Sequence, residues 1–156
     1  MKTNIGIEEK SRKAVSKILN TLLADEYVLY TKTRNFHWNV TGPQFNDLHK
    51  FFEAQYETLN EIVDDVAERS RALGERALGS LAEFLKVARL KEESREVLNA
   101  EGMLTQLLAG HETIIRNLRL DLKSCESHGD MGTNDFLTGL MEKHEKMAWM
   151  LRAFLS

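Results

Sequence analysis

The sequence predicts an all-α protein, a four-helix bundle with a short extra helix in a long middle connection. Three observations predict it. Apolar residues recur at i, i+3, i+4 and i+7 along most of the chain, and strand-like alternation is nearly absent. Four long apolar stripes are separated by glycine-containing turn signals. Pro43 is the only proline, so nothing else in the chain forces a helix to stop.

The first stripe starts with Val15, Ile18, Leu19, Leu22 and Leu23 and runs through Tyr30 to about Trp38. Asn39–Pro43 interrupts it, because Gly42 breaks a helix and the residue before proline disfavours the helical region. A second helix follows from Phe45 to Leu73, ended by Gly74. Ala82–Ala88 reads as the short extra helix, between Gly79 and the charged run KEESRE at 91–96. A third long helix carries Leu104, Leu107, Leu108, Ile114, Ile115, Leu118 and Leu122. Residues 125–135 read as a turn, with a helix start at Thr133–Asp135. The fourth helix carries Phe136, Leu137, Leu140, Met141, Met147, Ala148, Leu151 and Leu155. A single long middle crossover is the ferritin-like variant of the four-helix bundle.

Composition narrows the function classes. The chain has 156 residues, 29% charged and 42% hydrophobic, which suits a single globular domain spanning 1–156. The net charge of -3 offers no general attraction to nucleic acid. Cys125 is the only cysteine, which excludes an internal disulfide and disfavours a thiolate zinc site. The N-terminus lacks the apolar core of a secretory signal, and no apolar run approaches membrane-span length. A reduced, cytoplasmic setting is the expectation, with residues 1–8 as a flexible tail.

The second helix carries His49, Glu53, Asp64 and Glu68. At about 100° per residue all four share one face. His49/Glu53 and Asp64/Glu68 are i,i+4 pairs, each able to present two side chains to one ion. His37 stands just before the Gly-Pro break, where a chain reversal returns it towards that face. Imidazole and carboxylate together suit ferrous iron, and carboxylates stabilise the growing charge on oxidation. Residues 49 and 64 lie about 22 Å apart on a straight helix, so one chain cannot bring both pairs to one ion. A two-fold axis near Thr58/Leu59 sets His49 and Glu53 opposite Asp64 and Glu68 of the partner subunit and makes two such sites. A solvated acidic face is the plain alternative for either pair, and spacing alone leaves both readings open.

The stretch FHWNVTGPQFNDLHKFFEAQYETLNEIVDDVAERSRALG (36–74) resembles the signature of the Dps family, the DNA-binding proteins from starved cells. His37-Trp38, Gly42, Phe45, Leu48-His49, Asp64, Ala67-Glu68-Arg69 and Leu73-Gly74 carry the resemblance. It implies a hollow dodecamer built from two-fold dimers, with a two-iron ferroxidase centre at the dimer interface and hydrogen peroxide as favoured oxidant. His37 and His49 would come from one subunit and the acid pair from its partner. Zinc or another divalent ion could occupy the same ligands. Glu53 stands where the family more often has aspartate. Trp38 would lie beside the site, packing the interface or intercepting a stray radical. Ordinary ferritins instead use Glu-x-x-His pairs within one bundle, and none of the five histidines here has Glu three residues before it.

Other candidates have plainer readings. His111 and His144 lie on apolar stripes and are expected to be buried and hydrogen-bonded; His128 is expected to be exposed and Cys125 passive. Asp121, Asp130 and Asp135 flank the last turn, as caps or, by the resemblance, as linings of cation pores. Lys2, Lys10, Arg12 and Lys13 could attract DNA, but Glu8 and Glu9 lie among them and no basic run follows Leu155. DNA condensation is therefore the second hypothesis, and a purely structural helical assembly the third.

Overall fold

A computed structural model describes residues 3–92 and 98–156; most of the KEESRE run and Lys2 lie outside the described residues. Five helices follow in order: α1 Glu9–Asn39, α2 Phe45–Ala72, α3 Leu81–Val87, α4 Ala100–Ser127 and α5 Met131–Leu155. Among the described residues there is no strand. The expected all-α bundle with a short extra helix in its middle connection is what the chain forms.

α1 and α2 pack as an antiparallel pair, seen in a ladder of contacts from Ser16–Ser70 through Tyr30–Tyr56 to His37–His49. α4 packs on α5 in the same way, and the long crossover carries α3 across α1. Val15, Leu19, Leu22, Phe52, Leu59, Ile62, Leu107, Ile114, Leu118 and Leu137 are fully buried between the two pairs. Removing any one of these side chains typically costs about 2–5 kcal/mol.

Two boundaries differ from the sequence expectation. α1 starts at Glu9, ahead of its first apolar residue, because Arg12 lies buried and donates from Nη1 to the Leu73 carbonyl at 2.8 Å. That bond satisfies a carbonyl at the C-terminal end of α2 and ties the start of the chain to it. α5 starts at Met131, not at Thr133–Asp135, and the turn before it shrinks to His128–Asp130. The cap is Asp130, whose side chain accepts from the Thr133 backbone N–H at 2.9 Å. Gly129, at φ 70°, makes the tight reversal possible.

Gly74, at φ 85°, ends α2 in the left-handed region. Thr3 packs so closely there that a Cβ on Gly74 would collide with its side chain.

α3 has a complete capping box. Ser80 accepts from the Glu83 backbone N–H, and Glu83 accepts from the Ser80 N–H. Arg76, followed by the Gly79 N–H and Ser80, holds the Glu83 carboxyl down at about 2. A depressed carboxylate stabilises the fold above its unfolded value and loses that contribution as pH falls towards 2. Ser80→Ala is expected to cost about 1 kcal/mol, read as faster amide exchange confined to α3.

Candidate metal centre

The site is built at the turn between α1 and α2. Gly42, at φ 111°, reverses the chain after the last turn of α1. His37, near the end of α1, thereby meets His49, one turn into α2. Their rings stack with centroids 3.8 Å apart and planes 20° from parallel. Each ring nitrogen Nδ1 contacts the other residue's backbone carbonyl: His37 Nδ1 to His49 O at 2.7 Å and His49 Nδ1 to His37 O at 2.9 Å.

A carbonyl only accepts, so both Nδ1 atoms must carry the proton. In the neutral imidazole the lone pair then sits on Nε2. Metal-ligating histidines characteristically have their other nitrogen fixed this way by a carbonyl or carboxylate. The pair is locked in the ligand tautomer before any ion arrives. The rings lie in nearly parallel planes, so their in-plane Nε2 lone pairs do not aim at a common point.

Aromatic side chains wall the pair. Phe45 stacks on His49 at 5.2 Å, and Tyr56 meets His37 edge-on at 5.2 Å. Arg34 lies over the rings of Tyr30, Trp38 and Tyr56, and donates to the Tyr30 hydroxyl at 2.7 Å. Tyr30, Arg34 and Tyr56 also line an open groove of about 390 Å³ with Glu57, Asn60 and Glu61. Trp38 is 64% exposed, so within one subunit it packs against little besides Arg34.

The carboxylates divide. Glu53 is half-buried and accepts from the Tyr56 hydroxyl at 3.3 Å. Desolvation, and then the Glu53 carboxylate, raise the Tyr56 phenol above its ordinary value. Asp64 and Glu68 are exposed further along the unbroken α2. Among the described residues, no three His, Cys, Asp or Glu side chains of one chain are placed to hold an ion. The structure thus brings His37 and His49 together, sets Glu53 close by on Tyr56, and leaves the acid pair on the outer face of α2.

The secondary candidates also resolve. Asp130 is buried and paired with Arg69 at 3.0 Å, and Asp121 pairs with Arg89 at 3.0 Å, so both make ion pairs within the subunit. Asp135 is exposed. Cys125 is buried, and burial pushes its thiol up to about 12, far from the reactive thiolate. His128 is half-buried at the end of α4. Tyr56 and Arg34 were not singled out by sequence reasoning, although Tyr56 falls seven residues after His49, on the same helical stripe.

Residues 16–156 match the ferritin-like domain family. The chain is 49% identical over 153 residues to a low-temperature-induced protein of Nostoc sp., covering 97% of this chain and 86% of that one. It is 38% identical to DNA protection during starvation protein 2 of Bacillus anthracis, covering 92% of this chain and 98% of the relative. The Dps protein of Vibrio cholerae, described as a member of a superfamily of ferritin-like diiron-carboxylate proteins, superposes with a TM-score of 0.93. That match has 32% identity and covers 100% of this chain and 98% of the other. With its bundle, its single long crossover and its histidine pair at the α1–α2 turn, the chain belongs to the Dps family of ferritin-like proteins.

Proposed function

We propose that the protein is an iron-storage and detoxification protein, a ferroxidase that oxidises Fe(II), preferentially with hydrogen peroxide, and deposits the ferric product inside a dodecameric cage in the cytoplasm. The observation that carries this reading is the reciprocal bonding of His37 and His49. It presets two imidazoles, His37 buried and His49 half-buried, in a subunit that cannot complete the ligand set alone. Asp64 and Glu68 supply the missing carboxylates when a second subunit packs antiparallel along α2.

The chemistry follows from the donor set. The imidazoles favour the ferrous ions, and the carboxylates of Asp64, Glu68 and Glu53 stabilise them as each loses an electron. Two ferrous ions supply the two electrons that split one peroxide O–O bond to the level of water, so no hydroxyl radical is released. The Glu53 side chain, longer than the family's usual aspartate, leaves Tyr56 to reach the second ion.

DNA condensation is the alternative, and the N-terminal charges weigh against it. Arg12 is spent on the Leu73 and Ile7 carbonyls, and Lys13 pairs with Glu9 at 2.6 Å. A salt-dependent gel shift at neutral pH would restore this alternative. The direct test is anaerobic Fe(II) loading followed by peroxide, on material sized by light scattering. A closed assembly of twelve 17.9 kDa subunits, about 215 kDa, that rapidly consumes peroxide is the expected result. Inert monomers would end the proposal.

A further inference from the structure

A second polar constellation lies in the middle of the bundle, away from the metal centre and unused by its chemistry. Glu26 of α1, His144 of α5 and His111 of α4 are fully buried. His144 Nε2 lies 2.9 Å from Glu26 Oε1, and His144 Nδ1 lies 2.9 Å from His111 Nδ1. The two ends of this chain, Glu26 Oε2 and His111 Nε2, are buried with no hydrogen-bond partner among the described residues.

The arrangement is serial, not convergent. Both nitrogens of His144 are engaged, with different neighbours on different sides of its ring. The three groups therefore share no point where an ion could meet them all. What they share is protons.

The count is constrained. Each of the two hydrogen bonds needs one proton between its atoms. With those two alone, the imidazoles are neutral, Glu26 is ionised, and the core holds an unpaired negative charge. A third proton makes the chain neutral, and it must sit at one of the two bare ends. A fourth occupies both ends and puts a net positive charge in an apolar core, which is strongly disfavoured. Burial, and then His144, accordingly hold His111 well below its ordinary value.

Among the described residues, the other buried polar groups of the packed helices are engaged elsewhere. On α1, Asp25 is tied to Arg89, Arg12 to the Leu73 carbonyl and His37 to the His49 carbonyl. The buried polar residues of α2 are Gln55, which donates to the Met147 carbonyl, and Ser70, which bonds to Ser16. α3 buries Phe84 alone. The other buried residues of α4 are apolar or Cys125. On α5, Thr133 bonds to Asp130, which pairs with Arg69 at the far end of that helix.

We propose that Glu26, His144 and His111 form a proton-holding chain that the folded bundle tolerates only up to its third proton, giving the subunit a built-in acid limit. Around pH 5.5, midway between the ordinary histidine and glutamate values, an unfolded chain carries both histidines largely protonated and Glu26 largely ionised, close to four protons in all. The folded chain carries three. Unfolding then takes up one proton, and the folded-to-unfolded ratio falls about tenfold per pH unit as pH drops.

Two substitutions move this slope in opposite directions. His111→Gln keeps a donor towards His144 but leaves one histidine facing Glu26, so folded and unfolded states hold equal protons and the contribution vanishes. Glu26→Gln removes the carboxylate, so the folded state holds two protons against four and the fall steepens to about a hundredfold per unit. Damage to packing alone would shift both curves without changing their slopes.

The experiment is urea unfolding of the full-length assembled protein across pH 4.5–7.5, wild type beside both variants, with the slopes compared at about pH 5–6, where the unfolded histidines are charged. It is paired with histidine C2-hydrogen exchange by mass spectrometry on the wild type. The expected order of slopes is Glu26→Gln above wild type above His111→Gln, with His111 not titrating in the folded protein over this range. Parallel slopes overturn the proposal. So does a folded wild type in which His111 titrates near the ordinary histidine value, a result that stands even if neither variant folds.

Discussion

Two inactive variants are expected to restore ferroxidase activity when mixed. His49→Ala removes an imidazole, and Asp64→Ala removes a carboxylate. Each alone disables every site, whether the ligands come from one chain or two. If each site takes its imidazoles from one subunit and its acid pair from the other, a hybrid dimer concentrates both lesions in one site and leaves the second intact. With random mixing at equal expression, about a quarter of all sites receive a wild-type histidine face and a wild-type acidic face. Co-expressed or refolded mixtures should therefore recover about a quarter of wild-type peroxide-dependent Fe(II) oxidation, while each pure variant stays near the uncatalysed rate. The absence of recovery in verified hybrid shells would place the acid pair elsewhere and remove the intersubunit site.

The expectation follows from the geometry of one subunit. His37 and His49 are locked by mutual carbonyl bonds, whereas Asp64 and Glu68 stand exposed further along the same helix. Nothing within the chain bends α2 to close that gap, because it is continuous from Phe45 to Ala72. His37→Ala should hurt twice, removing its own lone pair and freeing the His49 ring, whose Nδ1 loses no partner but whose stacking wall disappears.

Much of the candidate site was legible in the sequence because its components are local. Helical spacing places His49, Glu53, Asp64 and Glu68 on one stripe, and the Gly42-Pro43 break explains how His37 returns. The tautomer lock was not legible. It depends on two backbone carbonyls whose directions are set by the angle between α1 and α2, which no residue pattern encodes. The same holds for Glu26. On α1 it reads as one more charged residue in an amphipathic helix, and only packing against α5 reveals it facing His144. His111 and His144 could be read as buried and bonded from their apolar stripes, but not as bonded to each other. The boundary of α5 was misplaced because Ser124–Ser127 looks like loop composition, yet those residues complete the last turn of α4 while Asp130 caps the next helix. Local hydrogen bonding by side chains decided both ends, and composition could not weigh it.

Asp25→Ala is expected to be the most destabilising single change outside the apolar core. The crossover from α2 to α4 is long and has little core of its own, since Phe84 is the one buried residue of α3. What fastens its far end is Asp25 on α1. This fully buried carboxylate accepts from the Arg89 backbone N–H at 2.6 Å, the Arg89 Nε at 2.7 Å and the Leu90 N–H at 3.0 Å. Arg89 also reaches Asp121 on α4, so one guanidinium links α1, the crossover and α4. Alanine removes three charge-assisted bonds and leaves two backbone N–H groups without acceptors, at a cost of about 3 kcal/mol or more. For a domain of this size that corresponds to a fall in Tm of about 6–12 °C. Asp25→Asn separates the two contributions. Its amide oxygen still accepts from the two backbone groups, but the charge that balances Arg89 is gone, so the loss should be about half as large. Amide exchange should rise first in residues 81–90 in both variants, ahead of α1 and α2. If exchange there stays at wild-type rates while Tm falls, Asp25 acts through α1 packing and the crossover is held by something else.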